Sequence, residues 1–305
     1  MQFFRIIFSL VIVSILVTAC GDAYKSTKSG LVYKIVPGSK KGKQVKAGTV
    51  VKFHVVVMQK DSVTYNSFGK IPAFAYVDST PRNYDISEVL PLLNIGDSAV
   101  IVQSVDTIGK MQGGQLPAGL KKGDKIKILL RVLDVYDNIP IAQLMYNKEN
   151  ELQKERDIKE VEAYLKSKNI PAAKTPAGVF VEMIQPGMGA LPDTGKQVSL
   201  KYTGLNFKGD KFDSNVDPSF GHTDTFKIVI GQMGSIPGFE EGVKQIAKGG
   251  KAKIYIPSML GYGMQGAPPK IKPYEHLIFE VQMLDIQETS KLNTLTEEKK
   301  PTAKD

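Results

Sequence analysis

Residues that commonly carry nucleophilic, acid–base or metal chemistry are scarce in this chain. Among 305 residues there are three histidines and one cysteine, Cys20. A lone cysteine excludes intramolecular disulfides and any cysteine-rich metal site. His222 falls in a predicted loop and His276 opens a predicted strand, and neither has a cysteine or an acidic cluster beside it in the sequence. We therefore expect no metal site.

The single cysteine ends an apolar segment at the N-terminus. Arg5 precedes an apolar run from Ile6 to Val17. This run is shorter than the about 20 residues of an ordinary membrane span, but it suits the core of a signal peptide. The small residues Thr18 and Ala19, followed by Cys20, resemble the lipobox of bacterial lipoproteins. The alternative is an ordinary secretory signal with an incidental cysteine.

The lipobox resemblance implies cleavage before Cys20 and a lipid on its thiol, which anchors the protein to a membrane. Residues 1–19 are then a signal peptide and residues 20–29 a tether. Several acyl chains give durable anchoring, whereas one chain binds only marginally. We expect a position in the bacterial cell envelope, facing the periplasm or the cell exterior. The outer membrane is favoured because Gly21, and not Asp, follows the cysteine.

Aromatic residues and glycines form a second group of motifs, in the second half of the chain. In order they are Lys201-Tyr202-Thr203-Gly204, Gly209-Asp210-Lys211-Phe212-Asp213-Ser214, Phe226, Gly238-Phe239-Glu240-Glu241-Gly242-Val243, Gly261-Tyr262-Gly263 and Leu277-Ile278-Phe279-Glu280-Val281. Each is common alone, but the ordered set resembles the signature of FKBP-type peptidyl-prolyl cis/trans isomerases over roughly residues 175–287. The resemblance implies an α+β fold in which a curved antiparallel sheet wraps around one short helix.

The activity that this resemblance implies needs no acid, base, metal or cofactor. Resonance gives the peptide bond a rotation barrier of about 18–20 kcal/mol, and prolyl bonds cross it in about tens to hundreds of seconds. Twisting the amide breaks the conjugation and leaves a less polar C–N bond. A dry, apolar pocket favours that twisted state over the planar ground state, so aromatic walls are what the reaction requires.

The family motif implies a role for each pocket residue. Five aromatic residues line the proline pocket: Tyr202, Phe212, Phe226, Phe239 and Phe279. Phe239 forms the floor, and Tyr262 donates its hydroxyl to the substrate carbonyl. Ile236 contributes its backbone N–H and a wall, and Asp213 lies at the rim near the twisting carbonyl. The alternative is that these aromatic residues only fill a barrel core.

The chain departs from the family pattern at several positions. Phe239 stands where many members have Trp, which keeps the floor apolar but removes the indole. An Arg that often pairs with the rim residue Asp213 is missing at its expected spacing, where Asp217-Pro218-Ser219-Phe220 stands. In the loop before the last strand, Ala267 and Ile271 are the expected substrate-binding wall residues.

Alternating apolar residues predict the sheets that position these side chains. In the second half the alternating groups are Val198, Leu200 and Tyr202, then Phe226, Ile228 and Ile230, then Leu277, Phe279, Val281 and Met283; in the first half they are Val51, Phe53, Val55 and Val57, then Ile126, Ile128, Leu130 and Val132. A period of two is typical of a sheet with one face on a core. Phe239, Val243 and Ile246 predict one amphipathic helix. Ser87 to Leu93 predicts a shorter one, which Pro91 limits.

A weak internal repeat divides the chain. Residues 30–38 parallel residues 178–187 about 150 positions later, a spacing too long for a solenoid. We therefore predict a duplication with a degenerate FKBP-like domain at 30–138, a helical linker at 139–171, an FKBP-type isomerase domain at 172–287 and a disordered polar tail at 288–305.

The first half lacks the aromatic signature. His54 falls near the position of Tyr202, and Ile86 falls at that of Phe239. Tyr65-Asn66-Ser67 replaces the segment that contains Phe212. We expect this domain to have no working prolyl pocket.

Charge gives little support to a nucleic-acid partner. The net charge of +9 suits an anionic membrane surface or nucleic acid, but 40 basic residues are interspersed with 31 acidic ones and form no long run.

We expect a prolyl isomerase that assists the folding of exported proteins and takes proline-containing polypeptides as clients. The alternative is a non-catalytic chaperone or adaptor on the same scaffold. The sequence predicts no oligomeric state.

Overall fold

The computed structural model describes residues 23–39 and 42–289. The chain forms two compact units that divide between Ala142 and Gln143. The predicted signal peptide, Cys20 and the tail from residue 290 onward lie outside the described residues. Among the residues that are described, no helix combines the length and the hydropathy needed to cross a membrane.

The first unit is a seven-stranded antiparallel sheet. Its strands are β1 (Lys25–Ser26), β2 (Val32–Val36), β3 (Val50–Gln59), β4 (Ser62–Asn66), β5 (Ala73–Tyr76), β6 (Ser98–Ser104) and β7 (Lys125–Tyr136). Their order across the sheet is β1-β2-β6-β7-β3-β4, and β5 pairs with the first residues of β3. One α-helix, α1 (Val105–Met111), follows β6.

The short helix predicted at Ser87 to Leu93 is not an α-helix. The segment forms two 3₁₀ turns, Ile86–Glu88 and Leu90–Leu92. Pro91 has no N–H to donate to the carbonyl four residues earlier, so an α-helix cannot continue through it. The tighter 3₁₀ geometry suits such short pieces.

The second unit repeats the topology of the first. It contains α2 (Ile139–Ser167) from Gln143 onward, then β8 (Ala173–Lys174), β9 (Phe180–Gln185), β10 (Lys196–Asn206), β11 (Lys211–Ser214), a 3₁₀ turn (Pro218–Phe220), β12 (Phe226–Val229), α3 (Pro237–Val243), β13 (Lys251–Ile256), a 3₁₀ turn (Ser258–Leu260) and β14 (Leu277–Glu288). The order is β8-β9-β13-β14-β10-β11, and β12 pairs with β10. Each strand has a counterpart in the first unit, which confirms the predicted α+β fold of two related antiparallel sheets.

The core of the second unit lies between the sheet and α3. The predicted amphipathic stripe is buried, with Phe239 exposing 2% of its surface and Val243 and Ile246 none. The helix is shorter than predicted, because α3 ends at Val243 and Ile246 lies beyond it. Alternate residues of β14, among them Phe279 and Met283, point into the same core. The predicted alternation is therefore the pattern that buries one face of this sheet.

Helix α2 extends from Ile139 to Ser167, within the predicted helical linker at 139–171. The side chain of Asn138 accepts a hydrogen bond from the Ile141 N–H at 3.0 Å and so satisfies one of the free donors of the first turn. Asn169 adopts a left-handed backbone with φ of 53° and ends the helix.

The C-terminal half of α2 packs on the outer face of the second sheet. Val161 and Leu165 are buried against Phe180 and Tyr255, with Ile158 beside them. Tyr255 lies between core residues of β13, so it points away from the pocket side. This apolar side of α2 therefore covers the outer face of the second sheet.

Candidate functional site

A cavity of about 250 Å³ opens on the inner side of the second sheet. Its lining residues are Tyr202, Phe212, Asp213, Phe226, Gly234, Ser235, Ile236, Phe239, Tyr262 and Phe279. The fold therefore brings together all eight residues that the sequence analysis placed in a catalytic pocket.

Separate elements of the unit contribute the walls. Tyr202 lies on β10, Phe212 and Asp213 on β11, Phe226 on β12, Phe239 on α3 and Phe279 on β14. Ile236 is the N-cap of α3 and has an extended backbone, with φ of −64° and ψ of 144°. Pro237 follows at the first helical position, where its fixed φ suits a helix start. The start of α3 thus carries the floor residue and its neighbours to the cavity.

Phe239 forms the floor of the cavity. Its ring centroid lies 4.9 Å from that of Phe279, 6.0 Å from Tyr202 and 6.2 Å from Phe226. All three ring pairs are edge-to-face, an arrangement that aromatic quadrupoles favour. Phe212 contacts Phe279 in the same way at 5.5 Å. The aromatic residues therefore fill core space and wall the cavity together, so the two predicted roles coexist.

Tyr262 presents a free hydroxyl to the cavity. Its side chain is 38% exposed, and no protein group in the described chain hydrogen-bonds its oxygen. Burial, and next the negative charge of Asp213, raise the pKa of Tyr262. The phenol therefore keeps its proton at neutral pH and is available as a donor.

Asp213 is fixed at the rim by three donors. The Tyr202 hydroxyl donates to Oδ2 at 2.7 Å, His222 Nε2 lies 2.8 Å from Oδ1, and the Ser214 N–H donates to Oδ1 at 3.0 Å. Burial alone raises the pKa of Asp213, but the hydrogen bonds from Tyr202 and His222 and the charge of His222 outweigh it and hold this pKa below its usual value. Burial and the same carboxylate raise the pKa of Tyr202.

His222 is the residue that sequence reasoning missed. It lies nine residues after Asp213 and pairs with its carboxylate, a contact for which the sequence offered no Arg at the expected spacing. The 3₁₀ turn Pro218–Phe220, capped by Asp217, and Gly221 with φ of 77° return the loop towards the rim. In the sequence, the only indication of this contact was a histidine that directly follows turn-forming residues, among them Pro218 and Gly221.

Replacing His222 by alanine is expected to raise the pKa of Asp213, because one hydrogen bond and one nearby positive charge disappear. The stability that the depressed pKa contributes is present above the unfolded value of about 3.9 and is lost as the pH falls through the folded value. Carboxyl-carbon NMR titration of Asp213 measures the shift, with Thr223→Ala in the same loop as the control. An unchanged titration midpoint in His222→Ala contradicts the role of this histidine.

Ala267 and Ile271 do not line the cavity. They pair with each other across a short turn, with backbone hydrogen bonds of 2.9 and 3.0 Å. Ile271 is 3% exposed and packs in the core. Of residues 262–271, Tyr262 is the one that lines the cavity.

The corresponding positions of the first unit hold different contacts. His54 stacks on Phe68 with ring centroids 4.5 Å apart, and its Nδ1 lies 3.1 Å from the Ser67 hydroxyl. Ile86 packs against the core of its own unit. These residues supply none of the aromatic side chains that wall the cavity of the second unit.

This chain is similar to known proteins in a family model, in sequence and in structure. The family model described as FKBP-type peptidyl-prolyl cis-trans isomerase matches residues 189–284. The FK506-binding protein of Neisseria meningitidis serogroup B is 40% identical over 111 residues, which cover 36% of this chain and 98% of that relative. The FKBP-type peptidyl-prolyl cis-trans isomerase FkpA of Escherichia coli strain K12 is 28% identical over 196 residues, or 62% of this chain and 69% of FkpA. The crystal structure of FkpA aligns with a TM-score of 0.37 and 27% identity, over 48% of this chain and 66% of that one.

Proposed function

This chain belongs to the FKBP-type peptidyl-prolyl cis-trans isomerase family, and from that premise we propose that the cavity of its second unit binds the prolyl ring of a polypeptide and lowers the barrier to rotation about the preceding bond. The observation that carries the proposal is a cavity of about 250 Å³ with five aromatic walls and the free Tyr262 hydroxyl at its mouth. The substrates are proline-containing polypeptides.

Desolvation is the main effect that the cavity offers. Phe212, Phe239 and Phe279 expose between 2% and 6% of their surfaces, so a bound prolyl ring replaces water against apolar walls. The planar amide is the more polar state and loses more on leaving water than the twisted amide does. The difference accelerates rotation, because only interactions that favour the transition state over the ground state raise the rate.

Two donors orient the peptide in this proposal. The Ile236 N–H has no acceptor within the described chain, and the Tyr262 hydroxyl has no partner there either. Both face the same cavity. A carbonyl on each side of the prolyl residue can accept one of these bonds, which holds the backbone while the bond between them turns.

Asp213 acts without transferring a proton. Its lowered pKa keeps it ionised at neutral pH, and Tyr202 and His222 hold both of its oxygens. The fixed negative charge at the rim lies near the carbonyl that rotates out of conjugation. We infer an electrostatic role for Asp213 and no acid–base step.

The proposal is tested by measuring the cis-to-trans rate of a proline-containing peptide in the presence of the full chain. Tyr262→Phe keeps the ring and removes one hydroxyl, and a hydrogen bond of this kind is worth about 0.5–1.5 kcal/mol. We expect kcat/KM to fall roughly 2- to 13-fold. A wild-type chain that binds the peptide without accelerating isomerisation supports the alternative, a non-catalytic chaperone or adaptor.

We propose further that the enzyme acts on exported proteins in the bacterial cell envelope, anchored by lipid on Cys20. The support is the apolar run from Ile6 to Val17 that ends in Thr18-Ala19-Cys20. The polypeptide then faces the periplasm or the cell exterior, with the outer membrane favoured. Newly exported chains there have unfolded segments in which prolyl bonds populate both isomers.

Cys20→Ser is expected to release the protein from the membrane fraction, or to leave it unprocessed, because the thiol that accepts the lipid is gone. Membrane fractionation and intact mass of the purified protein measure both outcomes. Thr18→Ser, which keeps a small residue before the cysteine, is the matched control and should stay lipidated. A lipid-sized mass increment on the Cys20→Ser protein contradicts the proposed anchor.

A further inference from the structure

The segment that carries Tyr262 is organised by one buried residue, Ser258. Ser258 is completely buried and opens the 3₁₀ turn after β13. Its carbonyl oxygen accepts hydrogen bonds from the N–H groups of Gly261 and Gly263, each at 2.9 Å. Both glycines that flank Tyr262 therefore donate to the same carbonyl oxygen. Because of these two hydrogen bonds, the position of Ser258 determines the position of the Tyr262 backbone.

Helix α2 holds this residue through a buried carboxylate. The Ser258 hydroxyl donates to Oδ2 of Asp157, and the Met259 N–H donates to the same oxygen at 2.9 Å. Asp157 has no exposed surface and lies about 100 positions before Ser258 in the sequence. The contact thus joins the outer helix to the start of the catalytic segment.

The other oxygen of Asp157 is satisfied within the helix. Gln153, also completely buried, donates from Nε2 to Oδ1 at 2.6 Å. The Gln153 oxygen in turn accepts from Arg156 Nη2 at 2.8 Å. Burying a carboxylate is unfavourable unless its lone pairs are hydrogen-bonded. Gln153, which lies on the same helix, therefore fixes the orientation in which the Asp157 carboxylate meets Ser258.

A second contact from α2 supports the same residue. His276 Nδ1 accepts a hydrogen bond from the Ser258 N–H at 3.0 Å, which leaves the ring proton on Nε2. That nitrogen lies 3.0 Å from Oε2 of Glu160. Asp157, Glu160 and His276 place one ligand atom each within 4.8 Å of one another, and Ser258 hydrogen-bonds both Asp157 and His276.

We propose that Asp157 is a positioning residue of the isomerase site. By holding Ser258 and Met259 it fixes the backbone from which Tyr262 directs its hydroxyl into the prolyl cavity. Three residues of α2, Gln153, Asp157 and Glu160, thereby support the site through Ser258 and His276, although the sequence indicates only a linker there. This inference rests on the proposed isomerase activity.

Variants of the full chain test the proposal by a double-mutant cycle. Asp157→Ala is expected to lower kcat/KM by roughly 2- to 10-fold, since its effect through Tyr262 cannot exceed the loss of the hydroxyl itself. Ser258→Ala should cause a smaller fall. In a Tyr262→Phe background, Asp157→Ala should cause no further loss, because the group that it positions is already absent. Glu155→Ala, an exposed carboxylate on the same helix, should leave the rate unchanged.

A merely structural role predicts a different result. Losses that multiply in the Asp157→Ala/Tyr262→Phe protein, or an Asp157→Ala protein with full activity, overturn the proposal. If Asp157→Ala does not fold, the cycle of Ser258→Ala with Tyr262→Phe decides in the same way. A wild-type chain without activity overturns the proposed function instead, and that rate is measured before any variant.

Discussion

Phe212→Ala is expected to lower kcat/KM by more than about tenfold, which corresponds to a loss of more than about 1.4 kcal/mol of transition-state stabilisation. Phe212 is 6% exposed and forms one wall of the cavity, with its ring edge-to-face on Phe279. Its removal admits water to the place where the amide must be desolvated. The effect should exceed that of Tyr262→Phe, which leaves every wall in place.

The same substitution should lower the free energy of unfolding by about 3–5 kcal/mol, as other large-to-small changes of buried phenylalanine do. Activity is therefore measured well below the melting temperature, on protein whose circular dichroism shows it to be folded. Met283→Ala is the matched control, because Met283 is completely buried in the same core and does not line the cavity. It should cost stability and keep kcat/KM. A folded Phe212→Ala protein with full activity means that the proline binds elsewhere.

Gly204→Ala is expected to displace two aromatic walls of the cavity and to lower kcat/KM by about tenfold or more. A Cβ at this position on β10 would lie 2.5 and 2.6 Å from two ring carbons of Phe212 and 3.0 Å from a ring carbon of Phe279. The two rings must move, and both of them line the cavity. Overpacking of this kind costs about 1–3 kcal/mol of stability.

Peptide isomerisation rates and thermal melts of the Gly204→Ala protein separate the two effects. Gly250→Ala is the control, since its Cβ would lie 2.9 Å from the Ala247 carbonyl oxygen at a turn that does not line the cavity. The control should lose stability and keep its rate per folded molecule. Equal kcat/KM for Gly204→Ala and wild type would show that the Phe212 and Phe279 rings need not hold their positions.

The sequence alone determined the sheet and the set of aromatic walls. Alternation of apolar residues, as at Val198, Leu200 and Tyr202, reports which side of one strand is buried, and a strand's own geometry fixes that pattern. The helix stripe at Phe239 and Val243 is local in the same sense. Because these residues also carry the family motif, the eight-residue pocket was predictable before any contact was known.

Tertiary structure decided the polar contacts that hold the pocket in place. The pairing of His222 with Asp213 depends on a capped turn that reverses the loop between them. The bond from Ser258 to Asp157 joins residues about 100 positions apart and requires α2 to lie on the outer face of the sheet. Periodicity describes one element at a time, whereas a hydrogen bond between elements requires two backbones to be placed within about 3 Å of each other. That placement depends on loop conformation and packing, which no local pattern in this sequence contains.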